Sequence, residues 1–365
     1  MLRHNTLRLL LGGSPLLRNP FQQNLTSQTN QNNRNEFLAK MEAGMGIPRI
    51  PRLQVRPISI LHETTKVSVA GRNFCNGFRS NQYLIINKEN KQCIFVDASD
   101  DWPDDWVAFI SASGLTPTHI FLTHCHIDNV INLNALMHIT EQHFKIRLGV
   151  MWSPTEQVWV EKFPAVCERY GRMEERRLTL PLLQNSQYSY YTYHSHLLEK
   201  QRLMEEAYRS SYQTDEEGEA SLLPDRPPPP QVVRREDILL SSATNRATSF
   251  YEFGKHCALQ YIFTPGHSPG HMMLSLPQER LLFTGDVLYY NGIGRVDLPW
   301  ATGEQLAESL LLLESHSDRT VLLPGHGRLT TLGRERRQNP ALRSLYERRE
   351  LGQQTPSVGF NDGYM

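Results

Sequence analysis

The sequence has no Cys-x-x-Cys pair, no long apolar run and no excess of either charge. Its five cysteines (Cys75, Cys93, Cys125, Cys167, Cys257) are odd in number and far apart. That spacing excludes a disulfide framework and a cysteine-built zinc knot, and favours a reducing compartment. No apolar stretch approaches the roughly 20 residues that cross a bilayer. The longest candidate, residues 306–313, is interrupted by Glu308 and Ser309. Lys and Arg number 38, and so do Asp and Glu. Binding a polyanion by bulk charge needs a basic excess, so no nucleic-acid partner is expected. The hydrophobic fraction of 39% is low for a chain of 365 residues, so part of the length is not core.

Two stretches account for that. Residues 1–35 carry Arg3, Arg8, Arg18 and Arg34 and no acidic residue. A basic, acid-poor, Ser/Thr/Asn-rich start has the composition of an organelle transit peptide. Residues 1–52 therefore read as a leader and a disordered segment, with the mitochondrial matrix as the expected address. From about 172 to 235 the apolar pattern breaks into a Tyr/His-rich stretch, an acidic cluster at 215–219 and prolines at 227–230. That composition is expected to be a solvated, mostly disordered insertion, and a candidate arm for a protein partner. Residues 346–365 read as a tail. Between these lies one domain, 53–345.

Within it, residues 83–86 and 93–96 read as a hairpin. Pro103, Trp106, Val107, Ile110 and Gly114 outline a helix with start and stop signals. Further strands are expected at 119–122, 147–151, 259–263, 281–284 and 320–323, and a helix at about 129–143. Thr302-Gly-Glu-Gln305 has the form of a capping box.

Four segments carry chemistry: Thr123-His-Cys-His-Ile-Asp-Asn129, Thr264-Pro-Gly-His-Ser-Pro-Gly-His271, Thr284-Gly-Asp286 and Pro324-Gly-His326. Each follows an apolar strand, so each puts a His or Asp just past a strand end. Strand ends on one edge can converge. Read as extended chain, His124, His126 and Asp128 face one way while Cys125 and Ile127 face the other. Imidazoles and a carboxylate suit zinc or iron at neutral pH.

The set resembles the metallo-β-lactamase superfamily, and within it the short glyoxalase II-like hydrolases. Residues 292–299 are similar to that branch's Gly-Arg-Thr-Asp-Leu-Pro segment. The resemblance implies an α/β fold, a four-layer αββα sandwich with the site at one edge. It implies His124, His126 and His267 on a first metal, Asp286 as a bridge, and Asp128 and His326 on a second, with the residue at position 129 as their partner. Zinc is the usual metal, with iron or manganese as alternatives. The family has His where this chain has Asn129, a weak zinc ligand, so one tight metal is expected and a second that is weak or absent. Ile131-Asn132 stands where the family usually has Gly-Gly.

The implied reaction is hydrolysis of a small-molecule thioester or related ester by metal-bound hydroxide. Asp128 would take or orient the water proton, and the Arg295 guanidinium would hold a substrate carboxylate, unless it is paired with Asp297. His271 is expected beside the ligands rather than among them. Two other readings compete. One is a non-catalytic scaffold in a mitochondrial assembly, suggested by Asn129. The other is an iron-dependent, persulfide dioxygenase-like oxygenase using His124, His267 and Asp286.

Overall fold

The apolar runs become strands that are buried on both faces. The computed structural model describes residues 46–178, 180, 250–253 and 257–350. β1 (Ser59–Glu63), β2 (Val67–Arg72), β3 (Gln82–Asn87), β4 (Gln92–Val96), β5 (Thr116–Phe121) and β6 (Gly149–Met151) form one sheet in that order. β1 to β4 are antiparallel, and β4, β5 and β6 are parallel. The second half of the chain adds β7 (Phe250–Glu252), β8 (Ala258–Phe263), β9 (Met272–Leu276) and β10 (Leu281–Gly285). A small ribbon of β11 (Leu288–Tyr289) and β12 (Gly292–Ile293) follows, then β13 (Val321–Pro324) and β14 (Thr330–Thr331). The second sheet runs β14-β13-β10-β9-β8-β7, with β10 and β13 parallel.

Alternation along each strand sorts side chains into layers. Tyr83, Ile85, Ile94 and Val96 share one core with Met272, Leu274, Leu281 and Phe283 from the other sheet. Leu84, Ile86, Cys93 and Phe95 point the opposite way, toward α1 (Pro103–Ala112) and its neighbours. On the far side, Met273, Leu282 and Leu322 pack against Leu306 and Leu310. The order is helix, sheet, sheet, helix: the αββα sandwich.

The helix expected at 129–143 is two helices. α2 (Ile127–Val130) and α3 (Leu133–Phe144) are separated at Ile131 and Asn132. The buried Asn132 amide donates to the Ser99 carbonyl (3.1 Å) and to Asp101 Oδ1 (3.2 Å), and it stands before α3 with φ −105°. α4 (Gln157–Arg169) follows β6, and α5 (Gly303–Leu311) links β10 to β13. One half of the expected capping box forms: Thr302 accepts from the Gln305 N–H at 3.2 Å, while its own N–H donates to the Gly266 carbonyl at 2.8 Å. α6 (Leu332–Gln338) and α7 (Pro340–Glu350) close the described chain.

Three expected boundaries move. Residues 46–52, assigned to the leader, include buried Ile47, whose N–H donates to the Tyr170 carbonyl at 2.8 Å. Residues 172–178, assigned to the insertion, include Arg172, buried and paired with Asp101 and Glu175 at 3.0 Å each. α7 runs past residue 345 and places Leu342 and Leu345 in the outer core. Apart from residue 180 and the end of α7, the rest of the expected leader, insertion and tail lies outside the described residues. Among the described residues no helix is long and apolar enough to cross a membrane.

Candidate metal centre

Ligands in open sheets gather where parallel strands end, and the polar residues here follow that rule. Asp97 follows β4, while His124, His126 and Asp128 follow β5. Asp286 follows β10 and His326 follows β13, with His267 in the β8–β9 loop. Two clusters result: His124, His126 and His267, and Asp128, Asp286 and His326. Within each, the ligand atoms lie within 4.8 Å of one another.

The first cluster is buried. His126 Nδ1 and His267 Nε2 face each other at 2.9 Å. His267 Nδ1 donates to the Arg295 carbonyl at 2.9 Å, so its Nε2 presents a lone pair. Burial, reinforced by neighbouring imidazoles, holds His124, His126 and His271 well below the usual histidine range. They are neutral, as metal ligation requires. His126 Nε2, Asn129 Oδ1 and Asp286 Oδ1 are buried without a hydrogen-bond partner. Orphaned nitrogen and oxygen atoms among neutral imidazoles fit a divalent metal.

Asp286 stands between the clusters. Its Oδ2 is 3.4 Å from His267 Nε2 and 3.5 Å from His326 Nε2, the place of a bridge. Gly325 is required beside it, because a Cβ there would lie 2.3 Å from Asp286 Oδ1. His326 Nε2 donates to Asp128 Oδ2 at 2.8 Å, and His326 Nδ1 lies 3.3 Å from the Arg79 carbonyl. Burial alone would raise Asp128, but the His326 hydrogen bond and charge hold it below the usual carboxylate range. Burial alone would lower His326, but Asp286 and Asp128 push it up to about 9.

Two expectations need correction, and of the two readings left open for Arg295 its guanidinium takes the pairing with Asp297. Asp128 does not reach the site by strand alternation. His126 is the last extended residue and α2 begins at Ile127, so a helical turn swings Asp128 toward His326. Asn129 does not join Asp128 and His326; its amide Nδ2 lies 2.8 Å from His124 Nδ1 and 3.2 Å from Nε2. The Arg295 guanidinium is engaged by Asp297 through two 2.7 Å bonds. Its contact with the centre is the main-chain carbonyl on His267. His271 is beside the ligands, as expected: it accepts from the Asp286 N–H at 3.0 Å and meets Thr264 Oγ1 at 2.9 Å. Cys125 is a buried thiol raised well above its usual range by burial.

Sequence reasoning missed several residues. Asp97 accepts from Thr123 N–H (2.8 Å) and Oγ1 (3.0 Å), fixing the start of the ligand loop. Burial pushes it up to about 8. It ends an apolar strand, so the same strand-end rule could have found it. Burial and Asp286 also raise the Tyr289 hydroxyl, whose ring meets His326 at 6.0 Å. Glu156, fully buried, accepts from the Cys125 N–H at 2.8 Å. Nothing in its local sequence separates it from an ordinary acid at a helix start.

The departure at position 129 read from the sequence gives a prediction. Asn129→His is expected to raise the metal content per chain, measured by elemental analysis after dialysis. Unchanged content would show that position 129 adds nothing to a second site.

The chain is similar to known proteins over part of its length. The family described as "Metallo-beta-lactamase superfamily" matches residues 186–326. Hydroxyacylglutathione hydrolase GloC of Haemophilus influenzae is 41% identical over 86 residues, 23% of this chain and 41% of that protein. The probable metallo-hydrolase YqgX of Bacillus subtilis is 43% identical over 88 residues, 23% of this chain and 40% of that protein. The chain thus spans about two fifths of the length of these curated relatives. Among solved structures, the B3 metallo-beta-lactamase BLEG-1 is 22% identical with a TM-score of 0.45, covering 72% of this chain and 94% of that one.

Proposed function

We propose that this chain, whose residues 186–326 match the metallo-beta-lactamase superfamily, is a metal-dependent hydrolase of a small thioester or related ester. The observation that carries this reading is the pair of three-residue clusters joined at Asp286. His124, His126 and His267 would hold the tight metal, and Asp128, Asp286 and His326 a weaker one. Zinc suits three imidazoles, and iron remains the alternative. A divalent metal there supplies Lewis acidity and a nucleophile ionised near neutral pH.

The chain's own residues do the rest. The Arg295 carbonyl fixes the His267 tautomer. Asp128, bonded to His326 through Oδ2, offers its other carboxylate oxygen for a proton. His326 is the partner that keeps Asp128 ionised, so the pair can hold a proton and return it to a leaving group. Hydrolysis of hydroxyacylglutathione, named for the Haemophilus relative, supports a thioester as the first substrate to try. The basic leader supports a mitochondrial address, to be tested by import and N-terminal sequencing of the mature chain.

The decisive experiment is metal content of protein purified without added metal, combined with a panel of small thioesters and esters. About one tight zinc per chain with thioester turnover is expected. A metal-free protein that stays inactive after reconstitution would overturn the reading. Iron with oxygen uptake on a persulfide would replace it by the oxygenase reading.

The second cluster has its own pH dependence. A histidine raised from about 6.5 to about 9 contributes stability below the lower value and loses it as pH rises through the higher,. Lowered Asp128 contributes above its unfolded value of about 3.9 and loses that as pH falls,. The metal-free pair is therefore intact in the folded protein from about pH 2 to 9, and its contribution to stability is complete only between about pH 4 and 6.5. A metal there must displace the His326 proton. The affinity for a second equivalent is expected to rise about tenfold per pH unit between pH 7 and 8, read by chelator competition. A flat profile would show that His326 is not a ligand.

A further inference from the structure

Glu156 is a buried carboxylate with no ion pair among the described residues, and the reaction scheme does not use it. It ends a short 3-10 turn after β6 and precedes α4. Its Oε2 accepts from the Cys125 N–H at 2.8 Å. Its Oε1 accepts from the Ser268 hydroxyl at 2.7 Å and the Gly270 N–H at 2.6 Å. Cys125 lies between His124 and His126, and Ser268 follows His267. One side chain therefore ties the ligand loop of the first sheet to that of the second.

The chemistry of the three partners selects a carboxylate. All three are donors, and they sit on both carboxylate oxygens. A carboxylate accepts on both sides, whereas a glutamine would turn an N–H toward one of them. The approach is close enough to require Gly270, where a Cβ would lie 2.8 Å from Glu156 Cγ and 2.9 Å from its backbone nitrogen. Burying a carboxylate without a cation costs several kcal/mol unless hydrogen bonds offset it. The same segment delivers Trp159, whose ring meets His126 edge-on at 4.3 Å.

We propose that Glu156 is the positioning residue of the His124, His126 and His267 triad, clamping the two loops at the separation one divalent metal requires. This rests on the reading of those histidines as a metal site. Supports that orient metal ligands typically change affinity by about 10- to 100-fold when removed.

The test is Co(II) and Zn(II) binding to wild-type protein, Glu156→Gln and Ser268→Ala, read by chelator competition and by the Co(II) ligand-field spectrum. Circular dichroism checks that each metal-free protein is folded. Glu156→Gln is expected to weaken binding by about 10- to 100-fold and to change the Co(II) band. Ser268→Ala, which removes one of the three bonds, is expected to shift both the same way by less, and decides the matter if Glu156→Gln does not fold. Wild-type affinity and spectrum in the folded variants would overturn the clamp while leaving the metal site standing. A wild-type protein that binds neither ion would overturn the site itself, and the clamp with it.

Discussion

Replacing His267 by alanine is expected to remove the tight metal and to lower thioester hydrolysis by about a thousandfold or more. Two of the three imidazoles, His124 and His126, come from one loop after β5. His267 comes from the other sheet and closes the set, with Nε2 2.9 Å from His126 Nδ1 and 3.4 Å from Asp286 Oδ2. Two histidines from one loop leave an open pair of ligands in place of a three-nitrogen site. The fold should survive, because the bonds lost are two, to the Arg295 carbonyl and to His126 Nδ1, each worth about 1 kcal/mol. Activity and metal content are to be measured on the same preparation. Retention of both would remove His267 from the centre and with it the proposed chemistry.

Replacing Asp100 by alanine is expected to destabilise the protein by about 3–5 kcal/mol, because it breaks a buried ion pair by removing one partner. Arg72 and Asp100 have side chains only 3% and 1% exposed and meet at 3.0 Å. Asp100 also accepts from the Trp106 indole at 2.7 Å and the Trp102 N–H at 2.9 Å. Burial pushes Asp100 up to about 6 despite the arginine, so the pair is costly to bury and its value lies in being complete. Without Asp100, Arg72 keeps only partly exposed Asp105, at 2.6 Å. Urea unfolding of the metal-free protein measures the loss. A shift under about 1 kcal/mol would show that Asp105 and water satisfy the guanidinium.

Much of the centre was legible because its signals are local. His124, His126, His267, Asp286 and His326 lie just past apolar strands, and the period of each strand is written in the residues themselves. The layers were legible for the same reason: Leu84 and Tyr83 must face opposite sides of β3. Asp128 was found for the wrong local reason. Alternation extends only to His126, and whether the chain then coils depends on what Ile127 and Val130 bury against, which is a tertiary matter.

The kind of chemistry is set by residue types and their spacing along the chain. Imidazoles and carboxylates at strand ends are metal-binding groups wherever they meet, and the spacing of apolar residues dictates which ends they occupy. How those groups are held depends on contacts that exist only after folding. The carbonyls of Arg79 and Arg295 orient His326 and His267, yet a carbonyl is the same in every residue and leaves no mark in a sequence. Asn129 turned to His124, Arg295 closed on Asp297, and Glu156 reached loops 31 and 112 residues away. Those contacts join distant parts of the chain. Their partners are chosen by which donors remain unsatisfied once the two sheets have packed.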